Sequence, residues 1–85
     1  MRSFVTREFR DCFSRLPETA QRQARKAYRL FRDDPHHPSL RFKRLLDEIW
    51  SVRISLEYHA VGRRDGATIV WFWIGSHANY DEILK

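Results

Sequence analysis

The first third of the chain carries apolar residues at helical spacing. Thr6 stands before the first such segment and is the predicted N-cap of a helix over 7–16, because its hydroxyl can accept a backbone N–H of the first turn. Four apolar side chains of this segment fall at i, i+3, i+4 and i+7, which places them on one buried face. They are Phe9, Cys12, Phe13 and Leu16.

A second helix is predicted directly after the first. Pro17 suits its first turn, where the missing N–H is harmless, and Glu18 lies near the positive end of the helix dipole. Its buried face comprises Ala20, Ala24, Ala27, Tyr28 and Phe31. Its opposite face is basic and comprises Arg22, Arg25, Lys26 and Arg29. Two helices joined so closely predict an antiparallel helical hairpin.

Beyond the proline-rich loop at 33–38, the apolar period changes to two, which is typical of strands. Strands are predicted at 40–43, 50–55, 57–61 and 68–74. The first three alternate apolar and polar residues, whereas the last is apolar on both faces, as a central strand is. The segment 62–66, Gly-Arg-Arg-Asp-Gly, is the predicted hairpin loop, and Gly75 is expected to turn the chain out of the last strand.

These patterns predict an α+β fold of one domain spanning 1–85. Two N-terminal helices pack on one face of a twisted antiparallel sheet of about four strands, and Arg2–Val5 is a candidate opening strand. A short C-terminal helix is expected after the last strand. Ser76 or Asn79 would cap it, and Glu82 follows Asn79 at the spacing of a capping box.

Size and charge narrow the class of protein. No apolar run approaches the ~20 residues of a membrane helix, and the N-terminus lacks a signal-peptide pattern. With a lone cysteine, the chain is expected to be cytoplasmic, since small secreted domains usually carry paired cysteines. Sixteen Lys and Arg against eleven Asp and Glu predict a polyanionic or acidic partner, unless the excess only aids solubility.

The polar face of the predicted sheet carries candidate chemistry. A turn centred on Leu56 places Arg53 opposite His59, with Lys43 nearby. RNA can be cut when its 2′-hydroxyl attacks the adjacent phosphate, which requires proton transfer and stabilisation of negative charge. A suitable set for this task is Lys43, Arg53, His59, His77 and Tyr80. The alternative is that these are ordinary polar residues of a solvated sheet.

The adjacent histidines His36 and His37 do not form a recognisable metal-ligand spacing with the single cysteine. Neither a metal nor another cofactor is therefore expected.

Three segments resemble the RelE/ParE superfamily of bacterial type II toxins: PHHPSLRFKRL, IWSVRISLEYHAVGRRDG and WFWIGSHANYDEIL. The resemblance implies the RelE-like fold and an antitoxin partner that wraps the toxin in a hetero-oligomer. In the RelE branch it implies metal-independent cleavage of mRNA on the ribosome, which inhibits translation. In the ParE branch it implies poisoning of DNA gyrase.

The resemblance also assigns roles to individual residues. Arg53 matches a basic residue that binds phosphate in nuclease members. His59 stands where the family pattern usually has an arginine after tyrosine, which is a departure. His77 matches a C-terminal histidine that acts as acid or base, and Tyr80 matches an aromatic residue that contacts the substrate.

The sequence therefore predicts a ribosome-dependent mRNA endoribonuclease toxin with Arg53, His59, His77 and Tyr80 as catalytic residues. The predicted RNA-binding residues are Lys43, Arg22, Arg25, Lys26, Arg29 and Arg63. Two alternatives stay open. One is a non-enzymatic gyrase poison with the same fold, and the other is a degenerate toxin that only binds its antitoxin.

Overall fold

The structure, a computed structural model, describes residues 1–79. Its elements are, in chain order, β1 (Arg2–Val5), α1 (Arg7–Ser14), α2 (Glu18–Asp33), a 3₁₀ helix (Pro38–Leu40), β2 (Lys43–Leu46), β3 (Ile49–Arg53), β4 (Tyr58–Asp65) and β5 (Thr68–Ser76). The strands form one sheet in the order β1-β5-β4-β3-β2. Within this part of the chain, no helix is long and apolar enough to cross a membrane.

The predicted α+β class is confirmed, with a larger sheet than expected. The candidate opening strand β1 joins the sheet by pairing in parallel with β5, whereas the other strand pairs are antiparallel. The sheet is therefore mixed and five-stranded. Thr6 caps α1 as predicted, since its Oγ1 accepts the Phe9 N–H at 3.1 Å.

Two predicted boundaries are wrong. Leu40 lies in the 3₁₀ helix and Arg41 has a φ of 45°, so the strand begins only at Lys43. Leu40 and Phe42 both contact the core, and this imitates the alternation of a strand. The segment 62–66 is mostly strand, because β4 continues to Asp65 and the turn needs only Gly66, with a φ of 60°, and the next residue.

The predicted C-terminal helix lies partly outside the described residues. Residues 77–79 are helical, and the Ser76 hydroxyl accepts the Asn79 N–H at 3.3 Å, as expected of a cap. The segment from Tyr80 to Leu84 is beyond residue 79.

The core lies between α2 and the sheet. Ala20, Ala24 and Ala27 are buried on α2, and Ala24, Ala27 and Phe31 belong to the same core cluster as the strand residues Val52, Ala60, Ile69, Trp71 and Ile74. Phe31 packs edge-on against Phe42 and Trp71, with ring centroids 5.0 and 5.4 Å away.

A hydrogen bond joins the core to β1. The buried indole N–H of Trp71 donates to the Ser3 hydroxyl at 2.9 Å, so β1 satisfies the one polar atom of the largest core side chain.

Gly62 is a sensitive position of this core. A Cβ at Gly62 would lie 2.7 Å from Trp71 Cε3 and 2.9 Å from the Val70 carbonyl oxygen, neither of which has room to move. We expect Gly62→Ala to destabilise the fold by about 1–3 kcal/mol, as overpacking does. Urea unfolding measures this loss. Gly75→Ala is the matched comparison, and an equal or larger loss there would contradict the argument, because its obstacle is the far edge of a partly exposed indole.

Candidate functional site

The face of the sheet away from α2, here called the open face, carries the predicted cationic side chains. Arg53 and His59 are cross-strand partners between β3 and β4, as a turn centred on Leu56 predicts. Lys43 pairs with Ser51, two residues before Arg53, so Lys43 and Arg53 share one face. A guanidinium, an imidazole and an ammonium group are thereby brought to the same end of the sheet.

His59 and His77 form a direct contact that joins the open face to the end of β5. Nε2 of His59 lies 3.1 Å from Nδ1 of His77, and the ring centroids are 5.2 Å apart. The backbone N–H of His77 donates to the carbonyl of Glu57 in the β3–β4 turn, which holds the residue after the end of β5. We call His59 and His77 the histidine pair.

The histidine pair is suited to moving protons. A hydrogen bond between two ring nitrogens requires that one carries a proton and the other does not. Such a bond gives a proton a route from one ring to the other. With Arg53 opposite His59, the histidine pair lies beside a fixed positive charge.

A β-bulge in β5 brings His77 to His59. Asp65 to Gly62 pair with Thr68 to Trp71, but Val61 pairs with Trp73, so Phe72 is an extra residue on β5. The shift places Gly75 opposite His59 and Ser76 opposite Tyr58. If the register of Gly62 with Trp71 continued unshifted, His77 would lie opposite Leu56 instead of Glu57, further from His59.

An indole on the open face is a feature that the apolar pattern did not indicate. Trp73 pairs with Val61, and its ring occupies the space where a Cβ of Gly75 would be, 2.5 Å from Cζ2. Gly75 pairs with His59, so the indole stands next to the histidine pair. The predicted turn at Gly75 is therefore wrong: β5 continues through it, and it makes room for Trp73. A glycine inside an apolar strand is the signal that marks such a close approach.

The basic stripe of α2 is divided among different neighbours. Arg22 forms an ion pair with Glu18 at 3.0 Å, and the Arg25 guanidinium lies 5.1 Å from the Phe13 ring centroid. Arg25 and Arg29 border a cavity between the two helices, whereas Lys26 borders a different cavity with Arg53. The four residues are all exposed, and their nearest neighbours differ along the stripe.

Two predicted residues are not near the histidine pair or cannot be placed there. Arg63 forms an ion pair with Glu48 at 3.0 Å and lies four residues from His59, about 13 Å along the strand. Tyr80 lies outside the described residues.

Two grooves flank the sheet. The first, here called the apolar groove, lies between α1, α2 and the sheet, and its volume is about 380 Å³. Its lining includes Phe9, Phe13, Tyr28, Phe31, Ile54 and Ile74, and its rim includes Arg10, Arg25 and Arg29. The second, here called the basic groove, has a volume of about 600 Å³ and lies between α2, the 3₁₀ helix and the end of β3. Its polar lining includes Lys26, Ser39, Arg41, Arg53 and Ser55.

His36 and His37, which are adjacent in the sequence, make local structural contacts. His37 caps the 3₁₀ helix, because its Nδ1 accepts the Ser39 N–H at 3.2 Å, and His36 lies against the Phe42 ring with centroids 6.1 Å apart. Among residues 1–79, no group of three or more His, Cys, Asp or Glu side chains is arranged to hold a metal ion.

Comparisons with known proteins agree with this architecture. A solved YoeB/ParE toxin from Agrobacterium tumefaciens aligns with a TM-score of 0.69 and 19% identity, over 91% of this chain and 99% of the other. A chain of the RelB-RelE antitoxin-toxin complex from Methanococcus jannaschii aligns with a TM-score of 0.76 and 10% identity, over 96% and 99%. A chain of the toxin-antitoxin complex RelBE2 from Mycobacterium tuberculosis aligns with a TM-score of 0.68 and 19% identity, over 89% and 96%.

At these identities the structural likeness shows the fold, and the family follows from the sequence. Comparison with curated proteins gave no significant match. The family model of the ParE-like toxin domain matches residues 18–82, which is well over half of the chain. The chain therefore belongs to the ParE-like toxin domain family, within the RelE/ParE superfamily of toxins.

Proposed function

We propose that this chain is the toxin of a type II toxin–antitoxin system and that it cleaves mRNA on the ribosome in a metal-independent reaction. The observation that carries the proposal is the histidine pair next to Arg53, in which Nε2 of His59 lies 3.1 Å from Nδ1 of His77. A gyrase poison needs no pair of proton carriers beside a cation, whereas RNA cleavage needs both.

The reaction assigned to this site is attack of a 2′-hydroxyl on the adjacent phosphate. The new P–O2′ bond forms as the P–O5′ bond breaks, which leaves a 2′,3′-cyclic phosphate and a 5′-hydroxyl. In the uncharged histidine pair, the ring that donates through the contact keeps a lone pair on its outward nitrogen, and the other ring carries an N–H on its outward nitrogen. The outward lone pair accepts the 2′ proton, the contact proton crosses to the second ring, and the outward N–H of the second ring protonates the leaving 5′ oxygen. Proton exchange of the two outward nitrogens with water then restores the starting tautomers.

Arg53 and Lys43 supply the positive charge in this scheme. The negative charge on the phosphate increases as the fifth P–O bond forms, and a guanidinium offers two parallel donors to its oxygens. Arg53 thereby takes the position of the transition-state cation, although His59 replaces the arginine that the family pattern usually has there. Trp73, beside His59, offers a ring on which a base can stack.

Expression of the wild-type chain in a bacterial host tests the proposal. We expect new mRNA 5′ ends at ribosome-protected positions and an arrest of growth. Intact mRNA with accumulated DNA–gyrase cleavage complexes would instead assign the chain to the ParE branch, to which the name of the matching family model refers. Normal growth with both mRNA and DNA intact would indicate a degenerate toxin that only binds its antitoxin.

The antitoxin partner is proposed to bind in the apolar groove. Structural neighbours of this chain include toxins in complex with antitoxins. The groove exposes aromatic side chains between α1 and α2, and three arginines surround it. An acidic amphipathic segment matches both properties, because its apolar face covers Phe9, Phe13 and Tyr28 while its carboxylates meet the rim.

A pair of substitutions tests this docking site. Tyr28 is 42% exposed and lines the groove, so Tyr28→Ala should weaken binding of the short acidic protein encoded beside the toxin gene by at least about tenfold, as loss of an aromatic anchor does. Titration calorimetry of the purified proteins measures the affinity. Arg32→Gln is the control on the same helix, since Arg32 is already paired with Asp33 at 3.3 Å. Equal effects of the two changes would contradict docking in the groove.

A further inference from the structure

We infer that the basic groove binds the sugar–phosphate backbone of the RNA on one side of the scissile phosphate, an inference that rests on the proposed nuclease function. The groove has a volume of about 600 Å³, within the range of sites that hold small ligands. Three cationic residues from different elements line it: Lys26 from α2, Arg41 after the 3₁₀ helix, and Arg53 at the end of β3.

Arg53 connects the basic groove to the histidine pair. It lines the groove, and it is also the cross-strand partner of His59. β2 pairs with β3 only as far as Ser51, so the edge of β3 is open where Arg53 and Ser55 border the groove. A strand of RNA with its scissile phosphate at the histidine pair can therefore continue past Arg53 into the groove.

The cationic residues of the basic groove have no carboxylate partner, unlike several other arginines of the described surface. Arg22, Arg32 and Arg63 each lie within 3.3 Å of a carboxylate oxygen. Within residues 1–79, no acidic side chain forms an ion pair with any of the three groove cations. Cations without an internal counterion attract phosphates strongly, and each phosphate they neutralise releases a condensed counterion.

The backbone of Arg41 shows how this residue comes to border the basic groove. Its φ of 45° lies in the left-handed region, where glycine is the favoured residue and a long side chain is uncommon. The N–H of Arg41 donates to the carbonyl of Pro38 at 3.3 Å, which ends the 3₁₀ helix and directs the chain past the groove. The left-handed conformation is a common one for a residue that ends a helix, and it leaves Arg41 on the wall of the groove.

The two grooves suit different kinds of macromolecule. The apolar groove offers aromatic anchors, which a protein segment uses to bind. The described lining of the basic groove has no aromatic residue. It combines three cationic residues, two serines and a glutamine with an aliphatic wall that comprises Ala27, Leu30, Pro38, Leu40 and Ile54. The cations and hydroxyls are the groups that contact phosphates and sugars.

The salt dependence of RNA binding tests the inference. The purified full chain is titrated with a single-stranded 2′-O-methyl oligonucleotide of about ten nucleotides, a length suited to such grooves, which the proposed reaction cannot cleave. We expect Lys26→Gln and Arg41→Gln each to lower the slope of log K against log[salt] by about 0.7, the value for one phosphate contact on a single strand. The control Arg32→Gln should leave the slope unchanged, because this side chain already has a carboxylate partner.

Arg41→Gly separates loss of charge from loss of fold. Glycine suits a φ of 45°, so this variant should melt at or above the wild-type temperature and still show the lower slope. If Lys26→Gln and Arg41→Gln give the same slope of log K against log[salt] as the Arg32→Gln control, the inference is overturned. Binding of polyglutamate that depends on Lys26 and Arg41, without binding of the oligonucleotide, would assign the groove to an acidic protein and overturn it as well.

The salt-dependence experiment and the cleavage experiment can fail independently of each other. If the slopes change as expected while His77→Ala cleaves mRNA at the wild-type rate, the groove binds RNA and only the assignment of the histidine pair fails.

Discussion

Replacing His77 by alanine should lower the rate of ribosome-associated mRNA cleavage by about 10²–10⁴-fold, the usual contribution of a general acid or base. The substitution removes Nδ1, the atom that lies 3.1 Å from Nε2 of His59, and leaves the second ring without its proton partner. The side chain of His77 is exposed, so the fold should be unaffected. Primer-extension mapping of mRNA 5′ ends on purified ribosomes gives the rate.

Companion variants separate proton transfer from positioning. His59→Ala should give a loss of similar size, and the double variant should be no worse than either one, because residues that act as a unit are not additive. His77→Asn keeps a polar atom near the place of Nδ1 but cannot exchange a proton near neutral pH, so it should be as slow as His77→Ala. If His77→Asn retains activity, the histidine only positions the substrate. If His77→Ala gives the same mRNA ends and the same growth arrest as wild type, the catalytic assignment is wrong.

Replacing Phe31 by alanine should destabilise the fold by about 3–5 kcal/mol, the usual result for a buried phenylalanine. The ring is 2% exposed and packs edge-on against Phe42 and Trp71, so its removal opens a cavity at the contact between α2 and the sheet. A domain of this size has a total stability of only about 5–15 kcal/mol. Thermal unfolding should therefore shift downward by roughly 12–40 °C, or the chain should fail to fold.

An exposed leucine provides the control for this core substitution. Leu56 is 80% exposed at the tip of the β3–β4 turn, so Leu56→Ala should change the free energy of unfolding by less than about 0.5 kcal/mol. Phe31→Leu keeps most of the side-chain volume, so its loss of unfolding free energy should lie between those of Phe31→Ala and Leu56→Ala. A loss of less than about 1 kcal/mol for Phe31→Ala would contradict the view that this aromatic cluster holds α2 on the sheet.

Much of the fold can be predicted from local patterns. The cap at Thr6 and the alanine face of α2 depend on residues within a few positions of each other, and the structure contains them as predicted. The apolar face of α1 packs against the core but is only partly buried, and Tyr28, predicted on the buried face of α2, is 42% exposed. The pairing of Arg53 with His59 is also local, because only a short turn separates the two residues. The family likewise followed from sequence segments, and the match of a family model confirms it.

Other parts of the fold depend on contacts that local patterns do not report. A four-residue opening segment has too little pattern to show that it pairs with β5, some 66 positions away along the chain. The alternation of Leu40 and Phe42 resembled a strand, although each side chain reaches the core from irregular or 3₁₀ backbone. Gly62 and Gly75 resembled turn residues, whereas each lies inside a strand beneath an indole.

By itself, the sequence determined the main elements and the residues available for chemistry. It predicted two helices, a sheet with a cationic face, and a histidine just after the last strand. Only the tertiary structure decided that the two histidines meet. The register between β4 and β5 depends on the extra residue Phe72, and a strand that is apolar on both faces has no alternation to reveal such a bulge. The tertiary structure also divided the basic stripe of α2, because helical spacing places side chains on a face but does not say which groove or carboxylate lies beside each one.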